Sequence, residues 1–186
     1  MRTEWIVIAI LTFVGVYAIT LYNRLVRLRN LVREGWSGID VQLRRRTDLI
    51  PNLVDTVKAY AAHERKLFEE ITRERARSID AATVPSQEAA ERALRGSLGR
   101  LMALAEAYPA LKADENFRDL QRQLAEIEDQ LQMARRYYNG TVRDLNIAIQ
   151  AFPNSLVARP LGFREEPYFE LDDRAEAAVP KVAMGA

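Results

Sequence analysis

Few residues in this chain are placed to do chemistry. His63 is its single histidine, so a histidine-rich metal site or a histidine-containing hydrolytic triad would have to be built without a second imidazole. We read it as a polar residue on a helix. Its neighbour Glu64 is either a buried partner for an arginine or a solvated carboxylate. The carboxylate pairs Asp114/Glu115 and Glu126/Asp129 fall opposite an apolar seam, where solvation is their expected role. No glycine-rich phosphate loop is present. The absence of cysteine removes disulfides, a thiolate nucleophile, cysteine-ligated metals and a lipid-modified cysteine. Asn139-Gly140-Thr141 matches a glycosylation sequon, but a helical, cytoplasmic setting makes the match accidental. The expectation is therefore a protein that is not an enzyme, with no catalytic residue, no metal and no cofactor.

The remaining polar residues of note form two groups. Asp48, Pro51, Asn52 and Asp55 lie together in sequence, as do Arg135, Arg136, Tyr137, Asn139 and Asn146. What they can do depends on the elements that carry them. Lysine plus arginine (27) nearly balance aspartate plus glutamate (26), so no net field draws the chain to nucleic acid, and none is expected as a partner.

The uncharged run Trp5–Asn23 (WIVIAILTFVGVYAITLYN) is the strongest signal. As a helix it is roughly 28 Å long, close to the thickness of a bilayer's hydrocarbon core. It is too long for a usual signal-peptide core and lacks a good small-x-small cleavage site, so it is expected to persist as an anchor behind a short tail, residues 1–4. Trp5 and Tyr22 suit its two headgroup regions. Arg24, Arg27, Arg29 and Arg33 follow it, against only Arg2 and the terminal amine before it. The positive-inside bias then puts the amino terminus outside and the body in the cytoplasm, on a bacterial inner membrane.

Beyond the anchor, Leu25, Leu28, Val32, Trp36, Ile39 and Leu43 draw one helical stripe. Gly35 and Gly38 interrupt it, either for close approach of another helix or for a bend. Arg44, Arg45 and Arg46 are expected in its last turn, and Pro51 is expected to stop it. A second helix is predicted from Pro51 to Ser78, a loop over Asp80–Gln87, and a third helix ended by Pro109. A fourth follows, capped by Asp114, with a seam from Phe117 through Leu131 and Tyr138 to Phe152, and stops at Pro153. The predicted fold is all-α: a transmembrane helix over 5–23 continuing into an elongated, up-and-down antiparallel four-helix bundle over 24–153. An extended tail over 154–186 is expected to lie partly along the bundle through Phe163, Tyr168 and Phe169, and to be disordered by its end. With the start of the fourth helix near the membrane and its end returning to the far turn, the two polar groups would meet at one corner. They would either fix that corner, Arg135, Arg136 and Asn146 pairing with Asp48 and Asp55, or form a partner-binding surface.

The stretches RRRTDLIPNLVDTVKAYAAHE (44–64) and ARRYYNGTVRDLNIAIQAFPNSLVA (134–158), with EEPYFEL near the end, strongly resemble the bacterial LemA family. That resemblance covers nearly the whole chain. It implies one amino-terminal membrane segment and a long helical bundle, without a settled activity. It also implies links to membrane-embedded zinc metallopeptidases of the HtpX type, to envelope stress, and, through a relative in magnetotactic bacteria, to magnetosome membranes. The expected function is a membrane-anchored scaffold or adaptor whose partners are the lipid bilayer and a membrane protein such as an HtpX-type metallopeptidase, with self-assembly as a further option. Membrane shaping is the alternative, and a small-ligand sensor ranks below it.

Overall fold

The computed structural model describes residues 2–170, all helix, turn and extended chain. Its backbone is α1 (Arg2–Lys58), one uninterrupted helix that contains both the apolar run and Pro51. Pro51 therefore does not stop the first helix, contrary to expectation. Lacking an amide hydrogen, it leaves the carbonyl of Thr47 without its helical partner. The guanidinium of Arg75 fills that gap, Nε donating to Thr47 O at 2.7 Å. The apolar seam also runs straight through the proline, as Leu43, Ile50, Leu53 and Val57, all buried.

The expected second helix consequently begins later. A turn over residues 59–64 leads into α2 (Arg65–Asp80). The expected loop over 80–87 shrinks to three residues, because Thr83 and Ser86 form a capping box and Pro85 lies in the first turn of α3 (Val84–Glu106), where its missing donor costs nothing. Pro109 likewise opens a short helix, α4 (Pro109–Ala113). Asp114 caps α5 (Glu115–Gln150) as expected, accepting from the Phe117 amide at 2.9 Å. A single turn, α6 (Ser155–Ala158), follows, and the chain then runs extended to Glu170.

α1 and α5 are antiparallel along most of their length: Tyr60 faces Asp114 at one end and Tyr17 faces Asn154 at the other. At the end far from the apolar run, Ile50, Leu53 and Val57 of α1 share one core with Phe68 and Ile71 of α2, Leu94, Leu98 and Leu101 of α3, and Phe117 of α5. Each such fully buried side chain favours folding by roughly 1.5–3 kcal/mol. Nearer the apolar run, α1 and α5 form a second core, from Leu21 to Leu43 and from Leu131 to Ile149, which the extended tail completes with Phe163 and Phe169. Gly35 lets the helices meet there. A Cβ on it would lie 3.0 Å from the Cα of Tyr138, whereas Gly38 faces open space. Close approach thus accounts for the first glycine only.

Candidate functional site

The densest use of the singled-out polar residues is on the face of α5 that receives the tail. The carboxamide of Asn139 donates to the carbonyl of Phe169 at 3.1 Å and accepts from its amide at 2.9 Å. Asn146 treats Glu166 the same way, with both bonds at 2.9 Å. An amide side chain offers one acceptor and two donors, so each asparagine stands in for a residue of a facing strand. The spacing fits. Seven residues of helix rise about 10.5 Å, and three extended residues cover about 10 Å, so the tail runs antiparallel to α5 in matched register.

Between these two grips the hydroxyl of Tyr138 donates to Pro167 O at 2.9 Å. Burial pushes this phenol up to about 12, with the nearby carboxylates of Glu166 and Glu88 adding to the effect. Trp36 packs edge-on against both Tyr138 and Phe169, with ring centroids 5.5 and 5.6 Å away. Two arginines cover the tail aromatics: Arg29 lies 5.0 Å from the centre of Phe163 and Arg135 5.9 Å from that of Phe169. Phe163 and Phe169 are buried as expected, while Tyr168 points outward.

A second polar cluster lies inside the molecule. Arg46 is 2 % exposed, and its Nη1 donates to Glu91 at 3.0 Å while its Nε approaches Glu128 at 3.1 Å, an ion-pair contact not aligned as a hydrogen bond. Glu91, wholly buried, also accepts from the Ser78 hydroxyl and from Gln87 at 3.0 Å. The cluster therefore links α1, α2, α3 and α5. It corrects the expectation that Arg44–Arg46 occupy a helix terminus: they sit mid-helix, and Arg46 faces the core. The signal was in the spacing, since Arg46 falls on the seam between Leu43 and Ile50, and Gln87 and Glu91 fall on the seam that continues through Leu94.

The corner expected from the two polar groups does not form. Asp48, Pro51, Asn52 and Asp55 are exposed at the far end, where Asn52 and Asp55 line an open cleft with Asn116, Asp119 and Gln123 at the start of α5. Arg135, Arg136, Tyr137, Asn139 and Asn146 lie farther along α5, which runs back towards the apolar end. With Arg46 opposite Glu128 and Trp36 opposite Tyr138, Asn146 is about 30 Å along the rod from the level of Asp48. The start of α5 is far from the apolar run, the reverse of the orientation used to bring the groups together. Arg136 donates to Gln132 O at 3.4 Å, and Tyr137 is largely exposed. At the far turn the Tyr108 hydroxyl lies 3.4 Å from His63 Nε2, and Glu64 lies 3.6 Å from the same nitrogen. Among the described residues no group of three or more histidine, cysteine, aspartate or glutamate side chains is arranged to hold a metal.

At the other end, α1 is the one described helix long and apolar enough to cross a membrane. Trp5 is 71 % exposed, and the apolar residues after it are bare to Ile19. The hydroxyls of Thr12 and Thr20 bond back to Ile8 O and Tyr17 O at 2.8 Å, so neither is left unpaired on that surface. Arg24 and Arg27 are exposed just beyond the run, whereas Tyr22 and Arg29 are engaged with Phe163.

Comparison with known proteins gives the chain's family. Magnetosome protein MamQ 2 of Paramagnetospirillum magneticum is 27% identical over a 192-residue alignment covering 88% of this chain and 71% of the relative. Magnetosome protein MamQ of Magnetospirillum gryphiswaldense is 26% identical over 174 residues, covering 80% of this chain and 64% of the relative. The LemA family model matches residues 35–184, a span that contains the Arg46 cluster and both tail-holding asparagines. On the strength of that match over most of its length, the chain belongs to the LemA family.

Proposed function

We propose that this protein is a non-enzymatic, single-pass scaffold or adaptor of the bacterial inner membrane, with its amino terminus outside and its body in the cytoplasm. The observation that carries this reading is the continuity of α1. One helix joins the apolar run to the far core without a break, and α5 and the tail brace it along one side. Such an element holds its far end at a set height, which a tethered adaptor requires and a flexible stalk would not provide. The exposed cleft at that end, lined by Asn52, Asp55, Asn116, Asp119 and Gln123, is the surface it presents. A membrane-embedded metallopeptidase of the HtpX type, acting in envelope quality control, is the partner the family resemblance favours.

A photo-crosslinking residue placed at Gln123 in native membranes tests this. The expected result is one discrete adduct with an integral membrane protein, lost on Asp55→Arg but retained when an exposed residue outside the cleft, such as Arg143, is replaced. Recovery of uncrosslinked protein alone, or of adducts indifferent to Asp55, contradicts the reading. Reporter fusions at the two termini test the orientation.

Membrane shaping is the second reading. It is supported by the likeness to magnetosome proteins and by the exposed arginines 24, 27 and 33 next to the apolar run, each worth about 1 kcal/mol near anionic lipid. Purified protein that leaves vesicles unchanged at high surface density argues against it.

A further inference from the structure

We infer that residues 151–161, the turn after α5 together with α6 and the three residues that follow it, are immersed in the membrane leaflet from which α1 emerges, as a shallow second insertion. The inference rests on the reading of Trp5–Asn23 as a membrane span. Its starting point is a single hydrogen bond: Tyr17, inside that span, donates its hydroxyl to Asn154 Oδ1 at 2.8 Å. The turn is thereby held at the level of Tyr17, about 9 Å below Asn23 along the helix. Protein already covers α1 at Leu21 and Leu25. Were the turn to stand in water, only Trp5 to Tyr17 would remain to cross the bilayer. Thirteen residues span about 20 Å, well short of the roughly 30 Å of a hydrocarbon core.

The surface of the turn has the chemistry that immersion requires. Phe152 is 81 % exposed, Leu156 66 % and Leu161 47 % among the described residues. Asn154, between Phe152 and Leu156 in sequence, is bonded to Tyr17 of the bare apolar stretch, so the turn abuts that surface. Much of the turn's polar surface is satisfied internally. Asn154 also donates to Ala148 O at 3.2 Å, and the amides of Ser155, Leu156, Val157 and Ala158 all donate within the turn. Arg159 and Arg164 are exposed at its edge, where lipid phosphates would meet them. An apolar tip with a basic margin, fixed beside a membrane span, fits a phospholipid leaflet.

The chain has no cysteine, which permits single-site labelling of the full-length protein. Phe152→Cys, Val14→Cys in the span and Ala62→Cys at the far turn would each carry an environment-sensitive fluorophore, in vesicles of mixed phosphatidylcholine and phosphatidylglycerol. Nitroxide lipids labelled at shallow or deep positions, and aqueous iodide, are the quenchers. The expected result is that the Phe152 site is shielded from iodide and quenched severalfold more by shallow than by deep nitroxide. The Val14 site should favour deep nitroxide, and the Ala62 site should respond to iodide alone. A Phe152 site open to iodide and untouched by nitroxide, with Val14 still quenched, overturns the insertion while leaving the span intact. Shielding at Phe152 that grows with protein-to-lipid ratio, without nitroxide quenching, overturns it in favour of a second copy covering the turn. A Val14 site reached by iodide defeats the span and the insertion together.

Discussion

Arg46 and Glu91 show what one buried charge demands of its surroundings. The pair contributes little net stability over an apolar replacement of similar volume, yet removing one partner strands the other in the core. Arg46→Met should therefore destabilise the fold by about 3–5 kcal/mol in denaturant titration. Adding Glu91→Met should recover much of that loss; two losses that simply add would mean the side chains act independently. Gly35 and Gly38 make a sharper contrast, because they share a helix and differ in what faces them. Gly35→Ala would press a methyl group against the backbone of Tyr138, at a cost of about 1–3 kcal/mol. Gly38→Ala meets nothing and should stabilise by up to about 1 kcal/mol through helix propensity. Thermal melts of the two variants should move in opposite directions.

Among the elements, α1 and the tail are where sequence reading and structure part company. The apolar run, the Asp114 cap and the seam of α5 from Phe117 to Ala148 were legible because periodicity and capping are local properties. The passage of α1 through Pro51 was not, since it depends on Arg75, a residue brought in by α2. That dependence can be measured. Arg75→Ala should cost about 1–3 kcal/mol by leaving the Thr47 carbonyl unpaired, and the cost should shrink in a Pro51→Ala background, where the helix supplies its own donor. The grips of Asn139 and Asn146 were also beyond reach, because carboxamide-to-backbone pairs leave no pattern in composition or period. Tyr138 reports on the same docking through pH. Its phenol is raised from 10.0 to about 12 in the folded protein, so the docked state is fully favoured below pH 10 and loses stability as the pH climbs towards 12. Tyr138→Phe should be somewhat less stable at neutral pH, having lost the bond to Pro167, and should show a shallower alkaline decline in the same unfolding titration.

The whole molecule is a braced rod standing on one long apolar helix. The two polar groups that sequence alone brought to a common corner are instead spread along it: one at the tip, the other beneath the tail. Their separation assigns them different work. Asn139 and Asn146 hold the tail in place, while Asn52 and Asp55 remain open at the far end. The same geometry makes the rod's height the quantity on which the adaptor reading depends. From Asn23 to Lys58, α1 rises about 52 Å. Energy transfer from a fluorophore at Ala62→Cys to acceptors confined to the vesicle surface measures that height directly. A single, narrow separation of about 50 Å is predicted. A donor close to the surface, or one spread over many heights, would contradict the rod and with it the reading of this protein as a rigid membrane-anchored adaptor.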